Sequence, residues 1–455
     1  MAALALCDYL LLISPLMNVK LPPLSRAVCG VFISGLLLAG CQDELNQIDG
    51  FTYPAFVEAS NPKTLSTAPN GTTIYNGGYG SSIAPSLNDP SVFYLLTDRG
   101  PNAAGVQANS IIFGKADFTP QIGKFRIVGD QIVLEETILL KNASGQLLTG
   151  LPNPVGQGNT GEIAIDLNGK TISPDPDGID SEGLVLMPDG SFWISDEYGP
   201  HLVHVDPAGK TIERVNPFGT GTGGRIIPKV FARRRPNRGM EGLTITPDGK
   251  TLVGLMQSPL YNPSSAAVTN STVLRILTFE IATGATKQYV YLMEDPGLTG
   301  CSEIAAITNT TFLTLERDGD YGGNPAKPAK FKRVYKFDLA GATDISDSFN
   351  GDGGKLYNGM TVDQLKDKAG LTAAGIVPVS KTLVFDLITD ISPVYPHDKA
   401  EGIALIGRNR LAISNDDDFG VLDDGKNGFT TKLLPATGQV DKNRIYFVTL
   451  KSALR

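Results

Sequence analysis

The 455 residues include only four cysteines and three histidines. Cys7 and Cys29 precede a candidate cleavage point and Cys41 stands on it, which leaves Cys301 as the one thiol of the folded body. No disulfide can form within that body, so the fold must stand on its sheets, and Cys301 reads as a buried structural thiol. His201, His204 and His397 are too few for a His-rich zinc site. No Gly-x-Ser-x-Gly elbow occurs, which weighs against a serine esterase of the α/β-hydrolase type. Excess basic charge is also missing: 39 Lys+Arg face 47 Asp+Glu, a net charge of −8. No basic stripe is available to neutralise phosphates, so nucleic acid is not a partner. Long apolar runs are absent too. Residues 27–38 form an apolar stretch shorter than the about 20 residues of a membrane-spanning helix.

That stretch has another reading. Lys20 and Arg26 supply a positive flank, and the run ends Leu38-Ala39-Gly40-Cys41. This is the pattern of a signal peptide ending in a bacterial lipobox, with Cys41 lipidated as the mature N-terminus. Residues 1–16 read as an extension upstream of an initiating Met17, and Gln42 resembles outer-membrane sorting. The division expected is a signal peptide over 1–40, a polar tether over 41–60 and one folded domain over 61–455. The protein is expected in the bacterial cell envelope, as a monomer that touches the membrane only through its lipid.

Residues 180–206 organise the rest. Glu182-Gly183 opens an apolar run, Pro188-Asp189-Gly190 turns the chain, and Phe-Trp-Ile follows before Ser195-Asp196-Glu197-Tyr198-Gly199-Pro200. Two apolar runs around an Asp-Gly turn predict a hairpin. The unit recurs from Glu241, from Glu303 and from Glu401, with a degenerate copy from Gly80. Repeated all-strand units that cannot bury their faces alone predict an all-β propeller with loop insertions. Five repeats are countable, and a sixth blade is possible. Residues 443–450 read as a closing strand for pairing with N-terminal strands. Of the insertions, residues 142–160 are rich in Gly, Pro and Asn, and residues 344–377 carry a surface helix over 361–370 with a Thr cap and a Gly stop.

In a propeller, Glu182, Glu241, Glu303 and Glu401 would take equivalent places on the innermost strands and converge on the channel. Two carboxylates about 5 Å apart repel by roughly 3 kcal/mol at an effective dielectric of about 20. A cation, arginines or protons must compensate. Hard cations such as Ca²⁺ suit the oxygen-rich loops at Asp175-Pro-Asp177-Gly-Ile-Asp180-Ser-Glu182 and Asn415-Asp416-Asp417-Asp418. Arg99 and Arg317 adjoin further acids, and Arg238 lies three residues before Glu241. Alternatively, each glutamate accepts backbone N–H bonds from a neighbouring blade and locks the ring. His201 offers a general base or a hydrogen-bonded structural histidine.

Thr97-Asp-Arg-Gly-Pro-Asn102, Asp180-Ser-Glu-Gly-Leu184, Asn237-Arg-Gly-Met-Glu-Gly242, Glu316-Arg-Asp-Gly319 and His397-Asp-Lys-Ala-Glu-Gly402 together resemble the phytase-like domain called "esterase-like activity of phytase". The resemblance runs from about Tyr75 to Leu450 and implies ester hydrolysis. The Glu-Gly openings also resemble those of metal-dependent propeller lactonases, in which such a glutamate ligates the ion. The resulting expectation is metal-assisted hydrolysis of a phosphate or carboxylic ester at the acidic channel mouth. Glu182, Glu241, Glu303 and Glu401 would hold Ca²⁺; Asp196, Glu197, Asp416 or His201 would move protons; Arg99, Arg238 and Arg317 would hold an anionic substrate. The other reading is a non-catalytic module that binds a ligand or a protein.

Overall fold

A computed structural model describes residues 47–48, 50–60 and 62–454; the signal peptide and Cys41 lie outside the described residues. The chain divides into two units, Met1–Tyr53 and Pro54–Arg455. The described part of the first holds a small hairpin, Gln47–Ile48 with Phe51–Thr52.

Strand-turn patterning in the second unit yields five antiparallel four-stranded blades. From the channel outward, blade 1 is Tyr79–Pro85, Val92–Thr97, Gln121–Val128 and Gln131–Leu139. Blade 2 is Ser181–Leu186, Phe192–Asp196, Leu202–Val205 and Thr211–Val215. Blade 3 is Met240–Ile245, Thr251–Met256, Val273–Glu280 and Thr286–Leu292. Blade 4 is Gly300–Ala306, Thr311–Arg317, Lys332–Asp338 and Ser380–Asp386. Blade 5 is Ile403–Ile406, Arg410–Ser414, Arg444–Thr449 and, from the opposite end of the chain, Phe56–Ala59. The inner strands pack side by side in a closed circuit from blade 1 to blade 5 and back. The fold is a five-bladed β-propeller.

The Asp-Gly turn of blade 2 works because Gly190 takes φ +84, a region that other residues avoid. Inner strands are buried on both faces between blades, so they read as continuous apolar runs. One core therefore fills each gap between blades. Leu96, Ile122, Leu184 and Ile194 fill the first, and Trp193, Leu202, Leu243 and Phe279 the second. Leu255, Ile276, Ile304 and Phe312 fill the third, then Leu315, Val334, Ile403 and Leu411 the fourth. Phe93 of blade 1 meets Phe447 of blade 5 at 5.7 Å between ring centroids.

Ring closure places the domain start earlier than the sequence reading. Phe56–Ala59, inside the supposed tether, pairs antiparallel with Arg444–Thr449 and parallel with Gln131–Leu139. Four residues of mixed polarity at a sheet edge carry too little periodicity to announce a strand. The predicted helix over 361–370 also differs. Thr361 caps a 3₁₀ turn, Val362–Leu365, in a capping box with Gln364, and Lys366 then breaks the chain at φ 67. Asp367 caps a second helix, Lys368–Ala373, so Gly370 lies inside a helix instead of stopping one. This insertion docks on blade 3: Asp363 is buried and pairs with Arg275 at 2.7 Å. Among the described residues no helix is long and apolar enough to cross a membrane.

Candidate functional site

The strand register aligns the blades at the channel. Ile83, Leu184, Leu243, Ile304 and Ile403 pair with Leu95, Ile194, Gly254, Thr314 and Ile413. Two residues before the inner members stand Glu182, Glu241, Ser302 and Glu401, while the more strongly bulged blade 1 supplies Gly80-Ser81-Ser82 and no acid. Three residues beyond the outer members stand Asp98, Glu197, Gln257, Arg317 and Asp416. All nine named side chains in these two tiers are buried.

Glu303 is one residue out of step. Its slot is that of Gly183, Gly242 and Gly402, and in a strand a single-residue shift turns the side chain to the other face. It accepts the Leu243 N–H at 3.0 Å and the Ser82 hydroxyl, and Ser82 in turn accepts the Leu184 N–H at 3.0 Å. One carboxyl thus wires blades 1 to 4 across the channel. Ser302, not Glu303, fills the tier in blade 4, so the expected ligand set of four equivalent glutamates is corrected. Beyond this bridge the channel is apolar, a cavity of about 370 Å³ lined by inner-strand residues such as Leu184, Leu243, Ile304 and Ile403.

Around blade 2 the charge is negative. Asp180, Glu182 and Glu197 each offer an oxygen, and these oxygens lie within 4.8 Å of one another. Burial pushes Glu182 and Glu197 well above the usual carboxylate range, and the charge of Glu241 adds to both. Burial, against the pull of Arg99, raises Asp180 to about 8. Arg99 and, for Glu197, Arg238 are the nearby counter-charges, but the donors of Arg99 are engaged: Nη1 donates to Glu162 at 2.9 Å and to Asn237 at 3.1 Å, and Nη2 to Asn102 at 3.1 Å. Its Nε is 3.7 Å from Asp180. An all-carboxylate set without nitrogen or sulfur fits a hard cation and not zinc or copper.

Blades 4 and 5 neutralise themselves. Arg317 donates to Ser302 Oγ and to Glu401 Oε1, both at 2.6 Å. Lys399 Nζ lies 2.7 Å from Asp416, 2.6 Å from Asp418 and 4.0 Å from Glu401. Despite burial, those three acids hold the Lys399 ammonium well above its ordinary pKa. Blade 3 stands between the two sectors. Gln257 Nε2 donates to Glu241, and burial raises Glu241 to about 8, with Glu401 adding to it. Arg238 donates through Nη1 to the Thr299 carbonyl and feels the charges of Glu197 and Glu241.

Asp196 and His201 stand apart from the mouth. Neighbours on a strand point to opposite sides, so Glu197 faces the channel and Asp196 the loop behind. Asp196 accepts the N–H groups of Asp180 at 2.7 Å and Gly199 at 2.8 Å. His201 Nδ1 lies 2.9 Å from Asp196 and 2.6 Å from Arg214, and burial, with Arg214 adding, lowers its pKa to about 4. The arrangement is that of a structural histidine. The other two histidines are also occupied: His204 stacks on Trp193, and His397 bridges Asp441 and Tyr446. The sequence reading held Asp180 within an oxygen-rich loop suited to Ca²⁺ and gave no site role to Lys399 or Gln257. A period-two rule would have found Lys399, which stands two residues before Glu401 as Asp180 does before Glu182.

A family model described as phytase-like, esterase-like activity of phytase, matches residues 75–419. An uncharacterized secreted protein of Arthroderma benhamiae (strain ATCC MYA-4681 / CBS 112371) is 28% identical over 315 residues, which cover 54% of this chain and 60% of that one. The chain therefore spans less than two thirds of that curated relative. Among solved structures, a protein from Lactobacillus plantarum matches at 13% identity and TM-score 0.33, covering 88% of this chain and 97% of that one. PQQ-bound aldose sugar dehydrogenase from Streptomyces coelicolor matches at 12% identity and TM-score 0.31, covering 88% and 99%. Virginiamycin B lyase from Staphylococcus aureus matches at 12% and 0.29, covering 87% and 94%. At such scores these likenesses carry no argument about this chain.

Proposed function

Because the chain belongs to the phytase-like family, we propose that it is an extracytoplasmic, lipid-anchored hydrolase that cleaves an ester at the acidic mouth of its propeller. The carrying observation is the imbalance around that mouth. The acids of blade 5 have a built-in ammonium, Lys399, whereas the three carboxylates of Asp180, Glu182 and Glu197 converge near two guanidinium groups, Arg99, whose donors are engaged, and Arg238, which bonds the Thr299 carbonyl. Three buried carboxylates so arranged call for a hard cation, and Ca²⁺ is the ion we favour. When bound, such an ion polarises an ester carbonyl or phosphoryl oxygen and acidifies water.

The chain's own groups supply the rest. Asp180, Glu182 and Glu197 hold the cation. Glu241, steadied by the Gln257 amide and poised by burial near 8, takes up and returns a proton. Lys399 and Arg317, on the opposite side, face the charge that develops on the ester oxygen, and Arg238 orients a substrate bearing one negative group. The guanidinium groups of Arg99 and Arg317 are both bonded to protein acids. A small ester of low charge therefore suits the site better than a polyphosphate. The secreted relative supports an extracytoplasmic location, and Cys41 with Gln42 supports lipid anchoring at the outer membrane, with the protein acting as a monomer.

Glu303 favours the other reading at its own position, since it bonds across blades as a ring lock would. The detergent-purified full chain, stripped with chelator, separates the two. Calcium-dependent hydrolysis of p-nitrophenyl butyrate or p-nitrophenyl phosphate, lost in Glu182→Gln with the fold retained, supports the hydrolase. Absence of both turnover and calcium binding would leave a binding module.

A further inference from the structure

Gln257 is 6% exposed, and its amide is half used. Nε2 donates to Glu241, while Oε1 has no hydrogen-bond partner within the protein. A buried amide oxygen without a donor costs about 1–3 kcal/mol, so one retained at a channel mouth calls for a group that it serves. The surroundings do not supply a donor. Glu241 is an acid, the preceding position in the same tier is Glu197, and the guanidinium of the following one, Arg317, donates to Ser302 and Glu401. Gln257 and Glu197 hold equivalent places just past the second strands of adjoining blades, and Gln257 is bonded to Glu241, the inner-tier neighbour of Glu182, so Gln257 stands beside the acidic trio. An uncharged oxygen beside converging carboxylates is what a hard cation takes as a further ligand.

Resting on the cation reading above, we propose that Gln257 Oε1 is a neutral ligand which completes the oxygen set of Asp180, Glu182 and Glu197 and makes the site select Ca²⁺ over Mg²⁺. The selectivity follows from ligand number. Calcium accepts six to eight oxygens, amide carbonyls included, in flexible geometry, whereas magnesium demands a tight octahedron and keeps several of its waters. Four protein oxygens fixed on three strand ends and one strand-entry loop leave magnesium fewer waters than it keeps. Sequence alone conceals the role, because Gln257 stands where blade 2 has Glu197 and blade 4 has Arg317, and a glutamine among them reads as a lost charge.

Titration calorimetry on the chelator-stripped full chain, with CaCl₂ and MgCl₂ in turn, tests this. Gln257→Met keeps the volume and removes the oxygen. It is expected to lower calcium affinity about tenfold and magnesium affinity much less, while the cation-free melting temperature changes little because the orphaned oxygen and the bond to Glu241 are lost together. Gln257→Glu keeps an oxygen at that place and is expected to bind calcium at least as tightly as the natural chain at pH 8. If Gln257→Met binds both ions as the natural chain does, while Glu182→Gln loses calcium, Gln257 is no ligand and only this inference falls. A natural chain that binds neither ion overturns the inference together with the cation reading beneath it. Should Gln257→Met not fold, a Gln257→Glu variant that folds yet binds calcium more weakly overturns the proposal.

Discussion

Blades 2 and 5 solve the same electrostatic problem in opposite ways. Both place a glutamate in the inner tier, Glu182 and Glu401, and an acid at the second strand's end, Glu197 and Asp416. The difference is one residue two positions before each glutamate: Asp180 in blade 2, Lys399 in blade 5. In blade 5 the lysine carries the compensating charge within the chain. In blade 2 the same place adds a third carboxylate, and compensation must come from protons or from an ion. With Arg317, which donates to Glu401, that position makes one sector of the ring self-sufficient and leaves the other open to a ligand.

The largest way to break the contrast is to delete the internal cation. Lys399→Met leaves Asp416, Asp418 and Glu401 short of their partner and is expected to lower unfolding free energy by about 4 kcal/mol, read from urea denaturation at pH 7. Next comes pH. Asp180 and Glu241, raised to about 8 in the fold, keep protons that the unfolded chain gives up near its ordinary value of about 4. Their contribution to cation-free stability is therefore complete below about pH 4 and is lost as pH rises through about 8; calcium should flatten that decline. A calcium-insensitive slope would remove the ion from blade 2. Glu303→Ala, outside both sectors, cuts the bridge among blades 1 to 4 and should cost about 2 kcal/mol in the same denaturation assay. The smallest effect has the opposite sign. Glu182→Gln relieves repulsion and should stabilise the cation-free protein by about 1 kcal/mol while weakening calcium binding in calorimetry. Destabilisation instead would make Glu182 a ring lock.

The architecture was largely legible because hairpins are local. Asp-Gly turns, Glu-Gly openings and apolar runs lie close together in sequence, and their recurrence gave five blades. Glu182, Glu241 and Glu401 were legible for the same reason. Glu303 was not, because Cys301-Ser302-Glu303 carries its acid where the other motifs carry glycine, and phase within a bulge is invisible without the register. Asp196 and Glu197 looked alike until strand alternation separated them. The helical insertion misled because Thr361 and Gly370 match cap and stop signals, while the positive φ of Lys366 leaves no mark in composition. Gln257 needed the closed ring, since its meaning comes from Glu241 and from atoms it fails to meet.

Blade 5 has a consequence for how the chain is made. Its outermost strand, Phe56–Ala59, is synthesised before blades 1 to 4, and its partner, Arg444–Thr449, after them. Until Arg444–Thr449 emerges, blades 1 to 4 can form only an open arc. Contacts so distant in sequence close slowly. The nascent protein thus spends its vulnerable interval as an incomplete ring, and the emergence of Arg444–Thr449 determines when that interval ends.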